Sequence, residues 1–157
     1  MIMTSSRVHR SASGPARREP IDLVFDGGCG FCTRAVGWLR RLDRHGRVRV
    51  HPSQGSGVLQ RFGLAEEEAR AAVWAFQMPD PAAGRPGFRY RGAAAANRAL
   101  DAALGIRLFV PLYRIPGIAW VQDRAYRWIA DNRYRLRGVT PWCAEHPQAC
   151  RSTLSRP

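Results

Sequence analysis

The chain has 157 residues, of which 25 are basic and 12 acidic, so its formal net charge is +13 at pH 7. This length and a hydrophobic fraction of 45% predict one globular domain with a hydrophobic core. Every basic side chain is an arginine, and these are spread from Arg7 to Arg156, which favours a solvated basic surface and argues against a specific nucleic-acid site.

Residues 1–20 are rich in Ser, Arg, Gly, Ala and Pro and lack the continuous apolar stretch of a secretory signal peptide. We expect them to form a disordered basic tail. An Arg- and Ser-rich leader with few acidic residues is also typical of organelle transit peptides. Without a signal peptide the protein is expected to be cytoplasmic, where a Cys-x-x-Cys pair is more often catalytic or metal-binding than structural.

A pair of cysteines lies where a predicted strand turns into a predicted helix. The apolar run 21–25 predicts a buried strand, residues 33–42 predict an amphipathic helix, and Asp26-Gly27-Gly28-Cys29-Gly30-Phe31-Cys32 lies between them. The first turn of a helix carries unpaired N–H groups and the positive end of the helix dipole, which stabilise a thiolate and lower its pKa. The second sulfur, one helical turn away, is placed to attack a mixed disulfide formed on the first.

The following elements are predicted from hydrophobic alternation and from the positions of glycine and proline. They are a strand at 47–51, a short helix at 57–63, a helical turn at 65–70, a strand at 72–76, a hairpin strand at 88–90 and an alanine-rich helix at 92–104. A parallel β-α-β unit followed by an antiparallel hairpin predicts an α/β (α+β) fold, with a thioredoxin-like mixed sheet and flanking helices.

The C-terminal part is predicted to be helical to about residue 137, so the domain spans 21–137. The apolar run 106–113 is too short and too interrupted to span a bilayer, and no transmembrane segment is expected. A helix beginning at Pro116 carries an apolar stripe that we expect to pack on the core: Ile118, Val121, Ala125, Trp128 and Ile129. Residues 138–157 contain three prolines and are expected to form an irregular tail.

Three stretches of the chain resemble the DCC family of thiol-disulfide oxidoreductases, named for its Asp-Cys-Cys pattern. They are Asp26-x-x-Cys29-x-x-Cys32, then Tyr90-Arg91-Gly92-Ala93, and finally Ile115-Pro116-Gly117 with the helix through Tyr134. The likeness covers roughly 21–137 and implies a thioredoxin-like fold and dithiol–disulfide exchange. Better-known thioredoxin relatives place a cis-proline just before the third strand, whereas no proline stands at 68–72 here.

The predicted catalytic residues are Cys29, Cys32 and Asp26. Cys29 is expected to be the nucleophile, since it is nearer the helix start and should be the more exposed sulfur, and Cys32 to be the more buried resolving thiol. Asp26 either accepts a proton from Cys32 or serves as a loop and capping residue. The substrate would be a disulfide-containing protein or a small thiol compound, with an unidentified electron donor and no bound organic cofactor.

The sequence leaves open the role of the second cysteine pair and that of the Arg-rich helix. Cys143 and Cys150, with His146 between them, could join Cys29 and Cys32 in a zinc site, form a second disulfide or relay, or stay free thiols. In the other alternative, the Arg-rich helix 117–137, with its tryptophans and tyrosines, binds nucleic acid or an anionic membrane. The helical spacing of those aromatic residues favours core packing instead.

Overall fold

The computed structural model describes residues 20–150, so the tail expected at 1–20 lies almost entirely outside the described residues. The strands are β1 (Ile21–Phe25), β2 (Val48–Pro52), β3 (Trp74–Gln77) and β4 (Phe88–Arg91). The helices are α1 (Gly30–Leu42), α2 (Val58–Phe62), α3 (Glu66–Ala71), α4 (Gly92–Leu104), α5 (Phe109–Tyr113), α6 (Pro116–Asn132) and α7 (Trp142–Glu145). A short 3-10 turn at Pro81–Ala83 lies in the β3–β4 hairpin.

The four strands form one mixed sheet in the order β2-β1-β3-β4. Strand β1 is parallel to β2 and antiparallel to β3, and β3 is antiparallel to β4. This is the predicted thioredoxin-like sheet, and the predicted order of elements is confirmed. Because β1 lies between β2 and β3, the loop that follows it emerges from the centre of the sheet.

Side chains alternate between the two faces of β1 and build a core on each side. Ile21, Leu23 and Phe25 pack with α1 and with a row of alanines on α4. Val24 packs on the opposite face with aromatic residues of α2 and β3, such as Phe62 and Phe76. The sheet is thus covered by α1 and α4 on one side and by α2 and α3 on the other, which fixes the position of the β1–α1 loop.

One strand position on the second face is polar. Asp22 is fully buried in β1 and is paired with Arg49 (3.0 Å) and with the imidazole Nε2 of His51 (2.8 Å), both on β2. A buried carboxylate is costly unless its oxygens are paired in this way. His51 also packs against the ring of Phe62, at 5.2 Å between centroids. These two contacts give His51 a structural role at the end of β2.

The prediction that the apolar stripe of α6 packs on the core is wrong in part. Trp128 is 59% exposed and Val121 57% exposed, whereas Ile118 and Ile129 are half-buried. Helix α6 is attached instead through polar side chains that reach the neighbouring elements. The hydroxyl of Tyr126 accepts the N–H of Val73 (2.8 Å), and the side chain of Gln122 accepts from Asn97. Hydrophobic periodicity does not detect such a face, because its residues are not apolar.

Gly92 makes room for that attachment. It has a φ of +59°, a backbone conformation that glycine adopts without the strain of a side chain. A Cβ at this position would also lie 3.3 Å from the ring carbon Cε1 of Tyr126. The close approach of α6 therefore explains the glycine of the Tyr-Arg-Gly stretch at the start of α4.

We predict that Tyr126→Phe lowers the free energy of unfolding by about 1–2 kcal/mol, because the N–H of Val73 loses its acceptor. Burial raises the pKa of Tyr126 above 10.0, although the Val73 N–H, Arg133 and Arg91 lower it. The folded state therefore holds this proton more tightly than the unfolded chain, and that share of stability is present below pH 10 and lost above it. Urea unfolding at two pH values measures both effects.

Tyr90→Phe is the matched control, since the Tyr90 hydroxyl has no hydrogen-bond partner within residues 20–150. It should leave the unfolding free energy within about 0.5 kcal/mol of the wild type. Equal losses of unfolding free energy in Tyr126→Phe and Tyr90→Phe would contradict the role of the Tyr126 hydroxyl as acceptor for Val73. The same would follow if Tyr126→Phe lost as much stability above pH 10 as the wild type.

Candidate active site

The Cys29–Cys32 pair forms a disulfide at the junction of β1 and α1, with 5.2 Å between the two Cα atoms. Cys29 is the N-cap residue of α1, and its sulfur accepts the backbone N–H of Cys32 at 3.1 Å. The sulfur thus takes the place that a serine or aspartate oxygen takes at other helix starts. When the disulfide is reduced, this N–H and the helix dipole stabilise negative charge on the Cys29 sulfur.

The predicted exposure of the two sulfurs is wrong. Cys29 is 0% exposed, whereas Cys32 is only partly buried. The reason lies in the C-terminal segment, which packs over the loop at residues 27–30. We call residues 138–143 the strap.

The strap lies against the residues on both sides of Cys29. The N–H of Val139 donates to the carbonyl of Gly30 (3.2 Å), and the N–H of Cys143 donates to the carbonyl of Gly27 (3.0 Å). The backbones of Gly138 and Gly30 are in direct contact, which leaves no space for a Cβ at either position. With the loop covered on both sides, Cys29 has no exposed surface.

Trp142 makes two further contacts that attach the strap to the domain. The N–H of Trp142 donates to the Thr33 hydroxyl (3.0 Å), and its ring packs edge-on against Phe25, with 5.9 Å between centroids. A second disulfide joins Cys143 to Cys150, with 5.4 Å between Cα atoms. Of the alternatives for this cysteine pair, the structure therefore shows the disulfide.

Asp26 binds groups from several separate parts of the chain. The residue is 6% exposed, and one carboxylate oxygen accepts the N–H of Gly28 (2.9 Å) and the side-chain amide of Gln54 (2.8 Å). The other oxygen accepts the hydroxyl of Tyr134 (2.8 Å) and lies 3.5 Å from the guanidinium of Arg133. Asp26 thus serves as an acceptor of loop N–H groups; a proton transfer from Cys32 stays a prediction.

Three of these partners were missed by the interpretation of the sequence. Gln54 follows β2, whereas Arg133 and Tyr134 follow the last turn of α6. Loss of water around its hydroxyl raises the pKa of Tyr134, and the hydrogen bond and charge of Asp26 raise it further, while Arg133 lowers it. The only signal in the sequence was that Arg133 and Tyr134 end the third stretch resembling the DCC family.

A cavity of about 290 Å³ opens beside Cys32. It lies between α1, α4 and α6, and its walls are mainly apolar side chains. Cys32, Asp26 and Arg133 line it at one end, and Trp38 lines it from α1; Cys29 is not among the lining residues. Cys32 is therefore the cysteine of this pair that borders the cavity.

The two cysteine pairs do not share a metal centre in the structure. Cys29 is bonded to Cys32 and Cys143 to Cys150, whereas the zinc alternative needs four ligands around one ion. Across residues 20–150, His, Cys, Asp and Glu side chains form no group of three or more that could hold a metal ion. His146 instead stacks on the Trp142 ring, with 4.3 Å between centroids.

A mixed sheet in the order β2-β1-β3-β4 with a Cys-x-x-Cys disulfide at its first β-α junction defines a thioredoxin-like protein. More particularly, the chain belongs to the DCC1-like thiol-disulfide oxidoreductase family, whose profile matches residues 23–139. The resemblance to this family inferred from the three stretches is confirmed.

The chain is also similar to a protein of Bacillus subtilis (strain 168) named "Uncharacterized protein YuxK". The two are 29% identical over 125 residues, which cover 77% of this chain and 83% of that protein. No solved structure matches the chain. Between residues 20 and 150, none of the helices combines the length and the apolar character needed to cross a membrane.

We predict that Gly30→Ala displaces the strap, because the added methyl group would overlap the carbonyl oxygen of Val139. The expected loss is about 1–3 kcal/mol of unfolding free energy, measured by urea denaturation of the oxidised protein. The control is Gly37→Ala on the same helix, where a Cβ meets nothing within 4 Å. The unfolding free energy of this control should rise by about 0.5–1 kcal/mol. A similar rise in Gly30→Ala would show that residue 30 does not contact the strap.

Proposed function

We propose that the protein catalyses thiol–disulfide exchange through Cys29 and Cys32. The observation that carries this proposal is the Cys29–Cys32 disulfide at the start of α1, with the Cys29 sulfur accepting the N–H of Cys32. Membership of the DCC1-like family supports it. This pair can exist as a disulfide or as a dithiol with one stabilised thiolate, which are the two forms that exchange requires.

The proposed reaction moves two electrons and needs no bound organic cofactor. In the reductive direction, a cysteine thiolate attacks the substrate disulfide, breaks its S–S bond and releases one half as a thiolate. The other cysteine then attacks the mixed disulfide, releases the second half and closes Cys29–Cys32. A thiol donor restores the dithiol, and the reduction potential of the pair decides which direction prevails.

Asp26 is proposed as the third functional residue. Its carboxylate fixes the loop before Cys29 through Gly28 and links that loop to Gln54 and Tyr134. It is also the predicted proton acceptor for Cys32 during resolution. Substrates would be disulfide-containing proteins or small thiol compounds, and we place the exchange in the cytoplasm, where dithiol enzymes work within a reducing thiol pool.

We predict that Cys29→Ser and Cys32→Ser each abolish the turnover of bis(hydroxyethyl) disulfide in the presence of dithiothreitol, because neither single thiol can close the intramolecular disulfide. The assay follows the release of 2-mercaptoethanol by chromatography at pH 7, because the total number of thiols does not change when dithiothreitol is the reductant. The comparison variant is the double substitution Cys143→Ser/Cys150→Ser, which removes the second disulfide and leaves the first. It should retain turnover.

The reverse pattern, with turnover lost only in the Cys143→Ser/Cys150→Ser protein, would assign the activity to the second pair and overturn the proposal. Stoichiometric zinc in the purified protein that is lost in Cys29→Ser would favour the metal alternative. Both results are read from protein whose thermal unfolding shows it to be folded.

A binding role for α6 is the second candidate function. Trp120 is 64% exposed and Trp128 59% exposed, and Arg124 lies on the same exposed patch of the helix. Aromatic and arginine side chains together suit stacking on nucleic-acid bases or insertion at a membrane surface. Salt-dependent binding to RNA, DNA or anionic vesicles that is unaffected by cysteine replacement would favour this candidate.

A further inference from the structure

The cavity beside Cys32 has mainly apolar walls and is bordered by one of the two cysteines of the disulfide. Its walls include Phe31, Trp38, Ala96 and Leu100, and its volume of about 290 Å³ is at the small end of the range for ligand sites. Such a volume suits a ligand about the size of an aromatic ring. Of the two sulfurs in the disulfide, only that of Cys32 belongs to a residue lining it.

Arg133 supplies a polar group at the same end of the cavity. Its side chain is 13% exposed, and its terminal nitrogen lies 3.5 Å from Asp26. Arg133 lines the cavity and is its one cationic side chain within residues 20–150, so a ligand that brings a carboxylate to the guanidinium would gain a charge-assisted hydrogen bond in addition to its apolar contacts.

We propose that this cavity binds a small disulfide with an aromatic body and a carboxylate, and that Cys32 forms the mixed disulfide with it. The inference rests on the proposed exchange activity and specifies its substrate class and the order of its two cysteines. Cys29, expected from the sequence to attack the substrate, becomes the resolving thiol.

The order of attack follows from access and from leaving-group stability. Cys32 is reached from the cavity, whereas Cys29 is covered. The Cys32 thiolate attacks the substrate disulfide, one aromatic thiolate leaves, and the Cys29 thiolate then attacks the Cys32 sulfur and expels the second. In reverse, an aromatic thiolate attacks Cys32 and expels Cys29 as a thiolate, which the N–H of Cys32 stabilises.

The covered loop also favours a small substrate over a polypeptide. Backbone hydrogen bonds of the strap occupy the carbonyl groups of Gly27 and Gly30, on both sides of Cys29. A polypeptide would need to displace the strap to pair with the loop. A small molecule in the cavity lies beside Cys32 and leaves those bonds in place.

The first experiment compares the two single-cysteine proteins, Cys29→Ser and Cys32→Ser, each with Cys143 and Cys150 left paired. The probe is dithiobis(nitrobenzoate), an aromatic disulfide with carboxylates, and the release of nitrothiobenzoate is followed by absorbance. Cys29→Ser, which retains Cys32, should react at least about tenfold faster. Faster reaction of Cys32→Ser would overturn the assignment of Cys32.

The second experiment fills the cavity. Ala96→Leu should lower about tenfold the second-order rate constant for the reaction of dithiobis(nitrobenzoate) with the reduced protein freed of dithiothreitol, because the added side chain occupies the part of the cavity that would hold the ring. Turnover of bis(hydroxyethyl) disulfide, a smaller compound without a ring, should fall less. Gly37→Leu is the control, since a Cβ there meets nothing within 4 Å and the residue does not line the cavity.

The third experiment tests the guanidinium group of Arg133. Arg133→Gln should remove the preference for dithiobis(nitrobenzoate) over the neutral dipyridyl disulfide, measured as the ratio of the second-order rate constants of the two probes with the reduced protein. If the rate constant in Ala96→Leu and this ratio in Arg133→Gln stay at wild-type values, while turnover of bis(hydroxyethyl) disulfide still requires Cys29 and Cys32, the cavity proposal fails and the exchange activity stands. If no disulfide is turned over, the exchange activity itself fails.

Discussion

The carboxylate of Asp26 is the interaction on which the site depends. It joins the loop before Cys29 to Gln54 after β2 and to Arg133 and Tyr134 after α6. These groups come from three parts of the chain that no single helix or strand connects. Because the carboxylate is almost completely buried, it needs all of these partners to offset its lost hydration, so its partners and the loop stabilise one another.

A second constraint acts on the same loop from the C-terminal side. The strap places its backbone where side chains would normally be, and this is possible because residues 30 and 138 are both glycines. One sulfur of the disulfide is covered by this contact, and the other remains beside the cavity. The asymmetry between Cys29 and Cys32 thus comes from packing outside the Cys-x-x-Cys motif.

Most of the fold could be predicted from the sequence, because strand alternation and helix-ending glycines are local signals. The parallel β1–β2 pair followed from the β-α-β start and the antiparallel β3–β4 pair from the later hairpin, whereas the pairing of β3 with β1 was not predicted. Much of the site could not be predicted: Tyr134 meets Asp26 across 108 residues and Gln54 meets it across 28, and no local pattern encodes such pairs. The exposure of Cys29 was predicted wrongly for the same reason, since the strap that covers it lies more than a hundred residues away.

Helix α6 contains no fully buried residue, although it forms one wall of the cavity. It is attached by a few polar contacts, such as the Tyr126 hydroxyl on the N–H of Val73, instead of by a continuous apolar seam. A helix attached in this way separates from the domain at a lower free energy than a strand in the centre of the sheet. Amide hydrogens in α6 should therefore exchange with solvent well before those in β1, and that local opening should widen the cavity.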